Sequence, residues 1–269
     1  MNKTKTFNKI CKDIKDIKIQ GATNVAKQGF NAYQLIPNKS SIKKLLNLRP
    51  TEPMLYNLLK NYSYLTTNEL ETKLQKNQEK INHEVLKLIK YMDVIFTHCH
   101  ASTVTKALIF AKKNKKIFEV YNTETRPLYQ GRKTSLELKK AKIPVTQFVD
   151  SSALIAMTKT NNTKKVDTIF LGADAITKKG VYNKVGSGMY AQLAKINKIP
   201  FYIVTDSLKF SKNKIKIETR DKKEVWNKKS IKIINPAFEF IPKKLITGIV
   251  SELGTLSFKE FVREVRKRN

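Results

Sequence analysis

A thiol and a carboxyl group, each just past an apolar run, are the side chains of this sequence best placed to do chemistry. Cys99 sits in Thr97-His98-Cys99-His100 after Val94-Ile95-Phe96, and Asp174 ends Gly172-Ala173-Asp174 after Thr168-Ile169-Phe170-Leu171. Short apolar runs of this kind read as buried strands, and a thiol and a carboxyl group brought to one crevice can serve as base and acid on one substrate. Each has a blander reading. A lone cysteine is often a small buried hydrophobe, since only a polarised thiolate reacts, and an aspartate after a strand is often a loop or helix cap. Position strengthens the case for chemistry at Cys99 until the two readings balance. It opens a helix that Ser102 and Thr103 are placed to cap, with His98 and His100 beside it, and a helix N-terminus lowers a thiol pKa and attracts anions.

The elements that must position the pair follow from the pattern around it. Ile117-Phe118-Glu119-Val120-Tyr121 and Val145-Thr146-Gln147-Phe148-Val149 are two more strand candidates, with helical stretches between, so the sequence reads as repeated βαβ units and a parallel sheet. In such a sheet ligands collect beyond the carboxyl ends of the strands, where Cys99 and Asp174 would both lie. The strand Pro200–Thr205 runs into Asp206-Ser207-Leu208-Lys209-Phe210 and brings Lys209 to the same edge. Upstream, Ile10, Ile14 and Ile17, and then Leu70, Leu74, Ile81, Val85 and Leu88, recur at helical spacing. The expected fold class is α/β: an N-terminal helical domain over residues 1–90, then a Rossmann-like domain with a mostly parallel sheet over residues 91–269.

Several breaks in this pattern carry groups suited to anions. Gly21-Ala22-Thr23-Asn24 stands ahead of an apolar-periodic segment as a helix start with free backbone N–H groups. Pro50 disfavours helix for Arg49 and leaves its guanidinium at a turn. Asn183-Lys184-Val185-Gly186-Ser187-Gly188 reads as the opening of a helix running to about Asn197, and resembles phosphate-cradling loops only in general terms. The polar loop Tyr121–Arg132 is longer than a connection needs. Lys212–Lys232 reads as an exposed excursion and Phe258–Lys267 as a basic terminal helix. Most lysines of this chain are solvated surface groups; those at strand ends are the candidates.

Composition bounds the rest. The chain has 269 residues, with 53 Lys+Arg against 22 Asp+Glu, a formal charge of +31. Such a balance ordinarily points to a polyanion, yet the lysines are spread along the chain, few aromatics interleave with them, and no zinc-finger or RNA-recognition signature appears. No specific nucleic-acid partner is expected. Two cysteines, Cys11 and Cys99, make no disulfide framework or metal-ligand spacing, so neither a metal nor a cofactor is expected. No apolar run approaches the roughly 20 residues of a membrane span. The expectation is a cytoplasmic protein without a membrane partner.

Taken together the motifs resemble a known family, which contains methylthioribose-1-phosphate isomerase, ribose-1,5-bisphosphate isomerase, and the alpha, beta and delta subunits of the guanine-nucleotide-exchanging translation initiation factor. The likeness rests on Gly21-Ala22-Thr23-Asn24, Arg49-Pro50-Thr51, Thr97-His98-Cys99-His100-Ala101-Ser102, Glu124-Thr125-Arg126-Pro127 with Gln130-Gly131, Gly172-Ala173-Asp174-Ala175-Ile176, Asn183-Lys184-Val185-Gly186, Lys209-Phe210 and Asn235-Pro236-Ala237-Phe238, in family order. The isomerases of the family carry a cysteine and an aspartate where this chain has Cys99 and Asp174; the initiation-factor subunits typically lack the pair. Cys99-His100-Ala101-Ser102 looks more like the ribose-1,5-bisphosphate branch, with Ala101 where a serine is common. The resemblance implies conversion of α-D-ribose 1,5-bisphosphate to D-ribulose 1,5-bisphosphate in AMP and nucleoside breakdown, with Cys99 and Asp174 as catalytic base and acid. It implies binding of the sugar bisphosphate by Gly21, Ala22, Thr23, Asn24, Arg49, Ala101, Ser102, Thr103, Asn183, Lys184 and Lys209, assembly into a homo-oligomer (dimer or hexamer), and AMP as an activator. The alternatives within the family are methylthioribose-1-phosphate isomerase and a non-catalytic subunit that binds a translation initiation factor.

Overall fold

A computed structural model describes residues 2–49 and 51–268; Pro50, read above as the residue that keeps Arg49 out of helix, lies outside them. Five helices come first: α1 (Lys3–Lys15), α2 (Ala22–Leu35), α3 (Lys39–Leu46), α4 (Pro53–Tyr62) and α5 (Thr67–Leu88). Their ends are legible locally. Pro53 occupies the first turn of α4, where a missing N–H costs nothing, and Thr66 and Glu69 form a reciprocal capping box at the start of α5. Phe7, Cys11 and Ile14 make the buried stripe of α1, while Ile17 lies beyond the helix at a positive φ of 61°. Phe30, Leu45, Met54, Leu58 and Leu70 complete the core of this helical part.

From residue 93 strands and helices alternate. The order is β1 (Asp93–Thr97), α6 (Ser102–Lys113), β2 (Phe118–Thr123), α7 (Gln130–Lys140), β3 (Val145–Phe148), α8 (Ala153–Met157), β4 (Thr168–Leu171), β5 (Ala175–Thr177), β6 (Gly180–Lys184), α9 (Ser187–Ile196), β7 (Phe201–Val204), β8 (Phe238–Pro242), β9 (Gly248–Ser251), β10 (Gly254–Leu256) and α10 (Phe258–Arg268). Seven strands form one sheet in the order β10-β9-β7-β4-β1-β2-β3, parallel except for the antiparallel edge strand β10. Strands β1 and β4 are buried along their whole length, as continuous apolar runs covered on both faces must be. Phe96, Ile169, Leu171, Ile203 and Phe261 fill one face. On the other, Ile81 and Val85 of α5 pack with Ile95, Val104 and Val120, so one long helix serves both the helical part and the sheet. The expected fold class is the one observed.

Two features of the topology bear on function. The chain runs from β1 through β2 to β3 in one direction, while β4 lies on the opposite side of β1. The strand order therefore reverses between β1 and β4, which opens a crevice at their carboxyl ends. The second feature, a three-stranded antiparallel sheet in the order β5-β6-β8, corrects the sequence reading. Asn183 and Lys184 do not open a helix; they end β6, and α9 starts at Ser187. Three-residue β5 and a glycine-led β6 are too short to show strand periodicity, and the hairpin is decided by its pairing with β8.

Candidate active site

The switch point is where the two chemical groups meet. Cys99 follows β1, Asp174 follows β4, and both line one cavity of about 470 Å³, a size suited to a small ligand. All the residues singled out from the sequence line this same cavity: Gly21, Ala22, Thr23 and Asn24 at the head of α2, Arg49 before α4, Ala101, Ser102 and Thr103 at the head of α6, Asn183 and Lys184 at the end of β6, and Lys209 after β7. Segments up to 188 residues apart in sequence converge here because each follows a strand end or starts a helix on one rim.

The wall around Cys99 is built from adjacent strand ends and neutral hydroxyls. Cys99 holds a left-handed backbone, φ 65°, a conformation rare outside glycine and asparagine. It is held from both sides: its N–H donates to Thr125 Oγ1 at 3.0 Å, and its carbonyl accepts from Thr134 Oγ1 at 2.8 Å. Over-determined strain of this kind clusters at functional sites. His98 is buried, with Nε2 3.0 Å from the Val185 carbonyl and Nδ1 2.5 Å from Thr123 Oγ1. A carbonyl accepts only, so Nε2 carries the hydrogen and Nδ1 accepts. Burial pushes the imidazole down to about 4, so at neutral pH His98 is an uncharged brace for this wall.

Two local expectations are corrected here. The residue that caps α6 is Ala101, without a side-chain hydrogen bond, while Ser102 and Thr103 lie inside the first turn. The thiol is not lowered by the helix start: burial pushes Cys99 up to about 11, against the opposing pull of Lys184. Desolvation of the thiolate outweighs the partial charge of one helix end. Ala101 itself fits tightly, since a Cβ on Gly172 would stand 2.6 Å from the Ala101 Cβ, so α6 and the turn after β4 approach as closely as a glycine allows.

The wall around Asp174 is ionic. The Asp174 N–H donates to the Tyr182 carbonyl at 2.9 Å, which ties the backbone of Asp174, at the entrance to β5, to β6. Burial raises its pKa, with Lys209, Arg49 and Lys184 pulling the other way. Lys209 is buried and donates to the Ala173 carbonyl at 2.7 Å. It ends a 3-10 turn, Ser207–Lys209, that Asp206 caps by accepting from the Leu208 N–H at 2.8 Å, and Asp206 in turn accepts from Asn77 Nδ2 of α5 at 2.9 Å. Arg49 is buried with both sides of its fork engaged: Nε donates to Glu218 at 2.9 Å, and Nη2 pairs with Glu52.

Glu52, Arg220, Gln130 and Lys133 line the cavity as well, and the sequence reading did not place them in the site. Gln130 had a signal, since Gln130-Gly131 belongs to one of the family motifs. Glu52 had a weak one, a lone acid between Arg49 and an apolar helix. Arg220 had none, lying inside the lysine-rich stretch read as an exposed excursion. Part of that stretch is instead a wall: Ile215 is buried, and Glu218 and Arg220 fold back on Arg49. Among the described residues, four buried side-chain atoms lack a hydrogen-bond partner, and three of them, Arg49 Nη1, Glu52 Oε2 and Gln130 Oε1, belong to residues lining this cavity. Unpaired buried polar atoms are costly and rare in native proteins, so their concentration marks where a polar ligand would sit. Among the described residues no group of three or more His, Cys, Asp or Glu is placed to hold a metal, and no helix is long and apolar enough to cross a membrane.

The model of the initiation factor 2 subunit family matches residues 21–258, a span from the head of α2 to the first residue of α10 that takes in every cavity residue named above. The chain belongs to that family. Its relatives include the ribose 1,5-bisphosphate isomerase of Archaeoglobus fulgidus, 31% identical with 90% of this chain and 87% of that protein covered. A putative methylthioribose-1-phosphate isomerase of Methanocaldococcus jannaschii is 33% identical over 93% of this chain and 85% of its own. Among solved structures, the translation initiation factor eIF-2B of Pyrococcus horikoshii OT3 superposes with a TM-score of 0.83 at 26% identity, covering 93% of this chain and 96% of that one. By these curated relatives the chain stands with the sugar-phosphate isomerases of the family.

Proposed function

We propose that this chain is an aldose–ketose isomerase that converts α-D-ribose 1,5-bisphosphate to D-ribulose 1,5-bisphosphate. The observation that carries the reading is the meeting of Cys99 and Asp174 in one cavity at the sheet's switch point. An anomeric phosphate locks the sugar ring, so the reaction needs protonation of the ring oxygen, cleavage of its bond to C1, and movement of hydrogen from C2 to C1. In this reading the protonated Asp174 gives its proton to the ring oxygen. The Cys99 thiolate takes the C2 proton and returns it to C1, while the C2 hydroxyl proton passes back to Asp174. No atom is gained or lost.

The raised thiol does not obstruct this scheme. A thiol with a carboxylate and a thiolate with a carboxylic acid differ only by one proton moved between the two groups, so the active form needs none from solvent. Burial raises Asp174 as well as Cys99, which holds the proton within the pair. The positive charge that develops at C1 on ring opening favours the neighbouring thiolate. Gly21 to Asn24, Ala101 to Thr103, Asn183, Lys184, Arg49 and Lys209 would bind the two phosphates and the sugar hydroxyls between them. The family resemblance adds a homo-oligomer, dimer or hexamer, and AMP as activator.

The test is incubation of the purified protein with ribose 1,5-bisphosphate and with methylthioribose 1-phosphate, followed by phosphorus and proton NMR. Formation of ribulose 1,5-bisphosphate is expected. Turnover of the methylthio sugar alone would move the chain to the other isomerase branch. Turnover of neither, with saturable binding to a translation initiation factor, would make it a non-catalytic subunit.

A further inference from the structure

The stretch of residues 215–225 and the Asn235-Pro236-Ala237-Phe238 motif have no part in the mechanism above, yet they are built against the cavity. The Ala237 N–H donates to the Glu218 carbonyl at 3.1 Å, and the Arg220 N–H donates to the Asn235 carbonyl at 2.9 Å. Asn235 is buried and donates from Nδ2 to the Asp221 carbonyl and to Glu224, at 2.9 and 3.0 Å. The Ala237 carbonyl accepts from the Val185 N–H at 3.2 Å, just beyond Lys184. Nearer its start, the stretch is tied to the residues after Arg49: the Thr51 hydroxyl donates to the Lys216 carbonyl at 2.6 Å. The segment is thus a strap, tied on one side to the β6 hairpin and on the other to the turn that carries Arg49.

The strap delivers one guanidinium to the cavity. Arg220 is largely buried, and its Nη2 lies 3.1 Å from Glu218 Oε2, the carboxylate whose other oxygen receives Arg49 Nε. Glu218 therefore holds two arginines side by side. The two are not equivalent. Arg49 is engaged by Glu52 and Glu218, leaving one unpaired nitrogen, Nη1, whereas the one ion pair of Arg220 among the described residues uses a single nitrogen and leaves a donor edge for a ligand. Cys99 reaches the cavity from the end of β1, held by Thr125 and Thr134, whereas Arg220 reaches it from the strap, beside Glu218 and Arg49. The two groups line different walls of the cavity.

We propose that Arg220, held by Glu218 on this strap, receives the phosphate of the substrate farthest from the carbons that react, and so makes the cavity prefer a doubly phosphorylated pentose over a singly phosphorylated one. The proposal rests on the isomerase reading and deepens it. The chemistry at C1 and C2 belongs beside Cys99; a phosphate four carbons away needs a cation on another wall. A planar guanidinium with a free edge grips phosphate through paired N–H donors.

The experiment compares ribose 1,5-bisphosphate with 5-deoxyribose 1-phosphate, which lacks the second phosphate, on the full chain and on Arg220→Gln and Arg220→Lys. Turnover and calorimetric binding are both read, with thermal melting as a check on the fold. In Arg220→Gln the ratio of kcat/KM for the two sugars should fall about 100-fold, mainly through KM, the scale of lost charge-assisted hydrogen bonds; Arg220→Lys should recover about tenfold of it. Equal losses on both sugars would overturn the role of Arg220 and leave the isomerase reading standing. If the unmodified protein turns over neither sugar, the isomerase reading fails and calorimetry decides the rest: a preference for the bisphosphate that Arg220→Gln abolishes supports the phosphate seat, and no such preference overturns it.

Discussion

The two walls of the cavity solve the same problem, holding reactive groups in a fixed place, by opposite means. The Cys99 wall comes from neighbouring parallel strands and is braced mostly by neutral groups, the Thr123, Thr125 and Thr134 hydroxyls and an uncharged His98, with the Asp150 carboxylate accepting from the Thr125 N–H behind them. The Asp174 wall comes from segments distant in sequence, Arg49 and Glu218 being 169 residues apart, joined by buried ion pairs running from Glu52 through Arg49 and Glu218 to Arg220. Removing one partner of a buried neutral hydrogen bond costs about 1–3 kcal/mol, whereas breaking a buried ion pair costs about 3–5 kcal/mol, because a charge is stranded. The first wall therefore sets the protonation of the thiol chiefly by burial, with Lys184 opposing. The second is suited to anions, and its stability depends on pH.

This contrast can be broken in three ways, taken from the largest effect to the smallest. Cys99→Ser and Asp174→Asn should each lower turnover by about 100- to 10,000-fold, the range for loss of a positioned acid or base, while leaving the melting temperature within a few degrees. Substantial residual activity in either would remove the assigned role. Arg49→Met strands Glu52 and Glu218 and should destabilise the protein by about 3–5 kcal/mol in urea unfolding at pH 8. The loss should shrink at pH 5, where Glu52 takes up a proton; an equal loss at both pH values would mean that the ionic wall is not held as described.

The third is a pH measurement on Glu52. Burial raises this carboxyl to about 7, above its ordinary value, with Arg49 opposing. The folded protein then binds more protons than the unfolded chain between the two values, so stability is greatest below the unfolded pKa and falls as pH rises toward 7. For one such group the fall is about 3 kcal/mol. Glu52→Gln should remove that portion and leave the part contributed by Glu252, which burial also raises to about 7. Identical pH profiles for the variant and the unmodified protein would exclude Glu52 as the titrating group.

How much of this was legible beforehand differs between the walls for a physical reason. Strands β1 and β4 announce themselves as apolar runs, and a polar group directly after such a run must emerge at the sheet's edge, so Cys99, Asp174 and Lys209 could be placed together from residue types alone. Arg220 and Glu218 lie in a stretch with no periodicity, whose abundant lysines read as solvated surface. Only the pairing of residues 218–220 with residues 235–237 turns that stretch toward the cavity. The β6 hairpin was hidden in the same way, its pairing with β8 being invisible in either segment.

The sequence by itself determined the alternation of strands and helices, the helical part ahead of it and the identity of the groups at each strand end, because those follow from local hydrophobic pattern and the chain's order. The tertiary structure decided the protonation of those groups and the membership of the ionic wall. A thiol next to a helix start looks lowered on paper; in the folded protein, burial outweighs the helix end. A carboxylate such as Glu52 becomes a titrating group near neutrality only when distant segments close over it and exclude water, a condition that depends on neighbours and not on residue type.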